Sequence, residues 1–222
     1  MATGINEAHV SLRIATKEDS THILKLIQQL AEFERLTSFC VTTQESLEFT
    51  LFNAPPFQGP TVFLLEISST ESENPNLPPA NPNTAGQNPD PNSDLSFDHV
   101  PAKLRLDPPV KDPQAGDFVS GNGRVVVGFV LFFQNYSTFL AKPGFYIEDF
   151  FVREPYRKRG FGTILLRAVA KQAVKLGFGR VEWCVLDWNK KAIKFYEGMG
   201  AQVLQDWRIC RLTGKALEDC GI

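Results

Sequence analysis

A chain of 222 residues with 43% hydrophobic and 22% charged side chains carries enough apolar material for one sizeable core. Its net charge of −2 offers no general attraction to nucleic acid, and its apolar runs fall far short of the roughly 20 residues a bilayer span needs, which sets both classes aside. The first ten residues lack the basic start and apolar stretch of a signal peptide, so a cytoplasmic protein is expected. Cys40, Cys184, Cys210 and Cys220 show no close pairing and there are three histidines, so reduced, partly buried thiols are expected and no metal site.

In chain order, residues 12–15 read as a short strand. Thr16-x-x-Asp19 then opens a helix in the manner of a capping box, with Ile23, Leu24, Ile27, Leu30 and Ala31 at helical spacing for packing on a sheet. Thr43 caps a second short helix through Leu51, Pro55-Pro56 ends it, and residues 61–67 form an apolar strand. From 68 to 123 the composition changes: ten of the fifteen prolines fall here among Asn, Ser, Asp and Gly. Such a stretch is expected to be a largely disordered insertion in one domain spanning 1–222. A small ordered subdomain around 100–119 is the alternative, ranked second because no period persists.

The second half is regular. Residues 124–134 and 145–152 read as strands joined through Lys142-Pro143-Gly144, and 163–176 as a helix with Leu165, Ala168, Val169, Gln172 and Leu176 on one face, stopped by Gly177. A strand over 181–186, a helix over 190–199 ended by Gly200, a last strand over 207–212 and a C-terminal turn capped by Thr213 complete the chain. The order implies an α/β fold, one mixed sheet flanked by helices.

Between the strand 145–152 and the helix after it lies Arg157-Lys158-Arg159-Gly160-Phe161-Gly162-Thr163, a basic, glycine-punctuated loop. Two glycines let the backbone approach an anion, and the first amides of the helix lack intrahelical partners and carry the positive end of its dipole. The spacing is neither the dinucleotide fingerprint nor the P-loop lysine motif, which points to a different pyrophosphate. Taken alone, an ordinary solvated turn is the bland alternative.

The loop, together with Val181-Glu182-Trp183-Cys184-Val185-Leu186-Asp187-Trp188-Asn189-Lys190-Lys191-Ala192-Ile193-Lys194-Phe195-Tyr196, resembles the two signatures of the GNAT acetyltransferase superfamily. Glu148-Asp149-Phe150-Phe151-Val152 and Ala31-Glu32-Phe33-Glu34 further resemble its diamine group, the spermidine/spermine and thialysine acetyltransferases. The likeness covers about residues 11–67 and 124–213 and skips the middle. It implies a mostly antiparallel sheet whose central strands, 145–152 and 181–186, splay apart to admit the pantetheine arm of acetyl-CoA. The 157–163 loop would take the pyrophosphate, Asn189 would hold coenzyme oxygens or cap a helix, and backbone groups of Phe150, Phe151 and Val152 would pair with the pantetheine amides. A homodimer is implied as well.

Acetyl transfer to an amine needs two proton movements: one off an ammonium of pKa about 10, one onto the departing thiolate. The resemblance assigns the first to Glu148, directly or through water, and the second to the Tyr196 phenol. An ion-paired surface carboxylate and a core aromatic are their plain alternatives. Strand alternation places Tyr146, Glu148, Phe150 and Val152 on one face and Ile147, Asp149 and Phe151 on the other, so Glu148 and Asp149 are expected not to form a pair. Asp149 has a structural or an ammonium-binding role. Phe33 and Glu34 match an aromatic-acidic pair near the acceptor, Trp207 matches a group tryptophan with core packing as the alternative, and Ser137-Thr138 takes the form associated with thialysine-type members, where polyamine enzymes carry an acid.

The favoured function is acetyl-CoA-dependent N-acetylation of a small primary amine, either a thialysine- or lysine-like amino acid or a di- or polyamine. A protein or peptide N-acetyltransferase and a catalytically idle coenzyme A-binding module are the alternatives. The presence of both Glu148 and Tyr196 argues against the idle module.

Overall fold

The computed structural model describes residues 5–68 and 103–221, and the expectation of a disordered insertion falls outside them over 69–102. The chain divides into two units, Met1–Cys184 and Val185–Ile222.

Among its described residues the first unit is built on six strands: β1 (Ile5–Ile14), β2 (Thr61–Ser68), β3 (Leu104–Val110), β4 (Val125–Ser137), β5 (Lys142–Val152) and β6 (Val181–Trp183). Their order is β3-β1-β2-β4-β5-β6, and every neighbouring pair is antiparallel except β5 and β6. The mixed, mostly antiparallel sheet is therefore present. Its central β2 is buried from Thr61 to Ile67, as a strand covered on both faces must be.

Helices α1 (Ser20–Glu34) and α2 (Gln44–Leu51) cover one face, where Ile23, Leu26, Leu47 and Leu51 meet Val62, Leu64, Val126, Phe129, Leu131 and Phe151. Both predicted helix starts are realised. The Thr16 N–H donates to Asp19 Oδ2 at 2.9 Å, and the Ser46 N–H donates to Thr43 Oγ1 at 3.2 Å. On the other face Phe63, Phe132 and Phe145 pack edge to face at 4.9 and 4.8 Å between ring centres. Helix α3 (Phe161–Lys175) buries Leu165, Ala168, Val169 and Gln172, four of the five residues assigned to its inner face.

Several boundaries differ from the sequence reading. The β4–β5 turn is residues 138–141, and Lys142, Pro143 and Gly144 already belong to β5, paired with Ser137, Tyr136 and Asn135. Residues 103–123 are ordered, contrary to the insertion expected there. Leu104–Val110 pairs with β1, a 3-10 turn follows at Ala115–Phe118, and Phe118 enters the core. Local period failed as a guide because this segment draws its order from partners distant in sequence.

The second unit contains α4 (Lys190–Gly198) and α5 (Gly214–Cys220). Residues 207–212 form no strand, against expectation, and Trp207 is exposed. Of the four free thiols Cys40 is half-buried, while Cys184, Cys210 and Cys220 are exposed rather than partly buried.

Candidate active site

The decisive local feature is a β-bulge. Leu131 pairs with Asp149 and Phe132 with Ile147, which leaves Glu148 as an extra residue in β5. Cross-strand partners share a face, so Tyr146 (opposite Phe133), Asp149 (opposite Leu131) and Phe151 (opposite Phe129) all lie on the α1/α2 side. Ile147, Phe150 and Val152, opposite Phe132, Val130 and Gly128, lie on the other. The uninterrupted alternation read from sequence is thus corrected, because one inserted residue shifts the pleat for everything beyond it.

The bulge brings Glu148 and Asp149 together after all. Burial, then the charge of Glu148, then that of Glu34, push the Asp149 carboxyl up to about 6. Glu34, the last residue of α1, has its own carboxyl raised by burial. Three acids from two elements converge, one of them poised to change protonation near neutrality. Tyr146 sits beside them, its hydroxyl 3.0 Å from Cys184 Sγ, and burial raises its pKa, with contributions from Cys184 and Glu148.

Strands β5 and β6 pair only from Phe145–Val181 to Ile147–Trp183, so β5 runs on to Val152 after β6 has ended. The strand expected over 181–186 therefore stops at Trp183. Arg153 donates its N–H to Val127 O at 2.9 Å, so strand alternation turns the Phe151 backbone to β4 and those of Phe150 and Val152 to the opposite edge. Of the three residues expected to offer backbone groups to a pantetheine, Phe151 is therefore misassigned.

The basic loop meets the start of α3 as anticipated. Gly160 is the N-cap in a left-handed conformation, φ +86°, and no side chain among the described residues caps the helix. The first i to i−4 bond is Ile164 N–H to Gly160 O, so the amides of Phe161, Gly162 and Thr163 precede the helical ladder. No acid stands in the first turn, Lys158 is exposed at φ +62°, and Arg159 is half-buried. These features fit a pyrophosphate. Phe161 can contribute only backbone, since its side chain is buried against Tyr156.

Arg157 behaves differently. Its Nε donates to Val152 O at 2.8 Å, and its guanidinium lies 4.5 Å from the Phe33 ring centre and 5.0 Å from that of Phe151. Burial lowers its pKa, with Glu154 opposing. The side chain is committed to α1 and β5, a cation–π clamp that joins the two rather than a free phosphate ligand.

Ser137 and Thr138 do not join the acids. Ser137 pairs with Lys142 six positions along β4 from Leu131, roughly 20 Å at the rise of a strand, and its Oγ accepts from Leu140 N–H at 3.2 Å in the turn. In the second unit, Asn189 caps α4 by accepting from the Ala192 N–H at 3.2 Å, and Tyr196 is buried on that helix with its ring 5.3 Å from Phe195. A further cluster, Asp112 with Arg153 and Tyr156, went unmarked in the sequence. An isolated Asp among prolines carries no local signal.

Residues 84–201 match the acetyltransferase (GNAT) family. The chain belongs to that family. It is 54% identical to an L-ornithine N5-acetyltransferase of Arabidopsis thaliana over 93% of this chain and 86% of the relative. It is 35% identical to a tyramine N-feruloyltransferase of Nicotiana tabacum, covering 96% and 91% of the two chains, and 29% identical to a thialysine N-epsilon-acetyltransferase of Bos taurus, covering 96% and 97%. An integron cassette protein from Vibrio cholerae shares the fold with a TM-score of 0.60 at 15% identity, over 96% of this chain and 98% of that one. The acetyltransferase thus shows the resemblance its two motifs announced. No helix among its described residues is long and apolar enough to cross a membrane.

Proposed function

We propose that this acetyltransferase moves the acetyl group of acetyl-CoA to the distal primary amine of a small diamino compound, an amino acid of the ornithine, lysine or thialysine kind or a short di- or polyamine. The carrying observation is the acidic trio of Glu34, Glu148 and Asp149 at the stretch of β5 that runs on past the end of β6. A cluster of carboxylates favours a cationic acceptor, and a carboxylate titrating near neutrality suits removal of an ammonium proton. The names of the ornithine and thialysine relatives support the substrate class. In the same reading the enzyme is a cytoplasmic homodimer, and sedimentation of the purified protein checks the oligomer.

Each residue then has a task. The uncapped amides 161–163, with Lys158 and Arg159, hold the donor's pyrophosphate, while Phe150 and Val152 offer backbone groups to its pantetheine. Glu34 and the bulge acids orient the acceptor, and Glu148 with Asp149 takes its proton as the amine nitrogen bonds the acetyl carbon and the carbon–sulfur bond breaks. Tyr196 supplies a proton to the thiolate, whose basicity is close enough to that of a phenol for the transfer.

The test is acetyl transfer from acetyl-CoA to ornithine, lysine, thialysine, diaminopropane, spermidine, tyramine and a peptide amine. Diamino acceptors should lead by kcat/KM. Activity confined to tyramine or the peptide would overturn the proposal.

Asp149 gives a further expectation. Its folded pKa of about 6 exceeds the ordinary value of 3.8, so the stability linked to its proton is full below 3.8 and is lost as pH rises through 6. Asp149→Asn should therefore stabilise the protein at pH 8 by on the order of 2 kcal/mol, discounted from the full shift because the residue is only half-buried. The difference should narrow as pH falls through 6 and close near 4, as urea unfolding at pH 4, 6 and 8 can show. The acid limb of kcat/KM should lose its inflection near 6 in the same variant. A gap independent of pH would mean that folding leaves the proton affinity of Asp149 unchanged.

A further inference from the structure

We propose that Asp112, in the proline-rich stretch 68–123, is a positioning residue for the donor loop, acting through Arg153 and Tyr156. The inference rests on the reading of residues 157–163 as the pyrophosphate site. Arg153 directly follows β5, and its guanidinium holds Asp112 with both arms, Nη1 at 2.8 Å from Oδ2 and Nη2 at 2.9 Å from Oδ1. The Tyr156 hydroxyl donates to the same Oδ2 at 2.8 Å. Both charged side chains are almost wholly buried, and the Arg153 guanidinium lies 3.7 Å from the Phe118 ring centre while Nη1 also donates to Val126 O.

The connection to the loop is direct. Arg153 and Tyr156 form the 3-10 turn that leads into Arg157, and the Tyr156 ring meets edge-on that of Phe161, the first residue of α3, at 6.1 Å. The four residues between, 157–160, are thus held at both ends by one carboxylate's partners. Asp112 is itself aimed by an Asx turn, its Oδ1 accepting from the Gln114 N–H at 3.0 Å, and Phe118 follows in the adjoining 3-10 turn. A buried ion pair is weak evidence for stability, because an apolar replacement often holds a fold equally well. What such a pair supplies here is direction. A planar fork facing a carboxylate admits one arrangement, and that arrangement sets where β5 ends and where the loop amides point.

The experiment compares wild type, Asp112→Asn, Arg153→Met and the double variant by calorimetric binding of coenzyme A, hydrogen exchange of the 157–163 amides without ligand, and steady-state kinetics. Asp112→Asn should weaken coenzyme A binding and raise KM for acetyl-CoA by about tenfold, as a sub-ångström misplacement would. It should also speed exchange in 157–163 while leaving KM for the amine unchanged. Added to Arg153→Met, it should have little further effect, because both act through one contact. Should Asp112→Asn fail to fold, Tyr156→Phe removes one arm of the network and should shift the same readouts in the same direction by less. A folded variant with wild-type coenzyme affinity and loop exchange, or fully additive losses in the double variant, would overturn the inference while leaving the loop assignment intact. Wild-type protein that binds no coenzyme A would instead remove the loop assignment and the inference with it.

Discussion

Tyr196→Phe is expected to lower kcat by at least about a hundredfold while acetyl-CoA affinity changes little. The substitution removes one oxygen and keeps the ring. Tyr196 is buried on α4 against Phe195, and a phenylalanine can preserve that packing, so the helix and its Asn189 cap should survive intact. What is lost is the proton offered to the departing thiolate, and a positioned general acid contributes about a hundredfold to ten-thousandfold. A pre-steady-state measurement decides the matter, because it isolates chemistry from product release. Near wild-type turnover in the chemical step would return Tyr196 to a packing role and require another acid.

Gly160→Glu should abolish coenzyme A binding while the protein still folds. A Cβ at this position meets no atom within 4 Å, so the cost to the free protein is the left-handed backbone, about 1 to 2 kcal/mol at φ +86°. The cost to the ligand is larger. A carboxylate at the N-cap of α3 places negative charge where the helix dipole and the amides of residues 161–163 would otherwise meet phosphate. Calorimetry should show no measurable heat of binding, with circular dichroism close to wild type. Unchanged affinity in a folded variant would take the loop out of the site.

The fold was legible wherever a local rule sets the structure. Thr43 begins a helix because its hydroxyl accepts from the amide three residues ahead, Thr16 because the Asp19 carboxylate reaches back to its N–H, and Gly160 marks the start of α3 because it takes up a left-handed turn before Phe161. Hydrophobic spacing chose the inner face of α3, since burial of one stripe is what that spacing encodes. The reading failed for residues 207–212, where an apolar run with a tryptophan promised a strand that does not form. A strand is defined by its partners, and composition does not supply them.

At the site, the same division holds. The two motifs, the basic loop and the Asn189 to Tyr196 helix, were legible because backbone access to an anion and helical spacing are properties of neighbours in sequence, and their resemblance to the GNAT signatures supplied the acetyltransferase. The bulge at Glu148 was beyond that reach. Whether β5 carries one residue more than β4 depends on how two strands register, and this single step turned Asp149 from a residue opposed to Glu148 into its electrostatic partner. Arg157 looked like a phosphate ligand until α1 placed Phe33 over it, and Asp112 looked like part of a featureless linker until Arg153 and Tyr156 converged on it. Local chemistry is written in consecutive residues. The environment that sets a carboxyl's proton affinity or an arginine's partner comes from segments dozens of residues apart, and only packing brings them together.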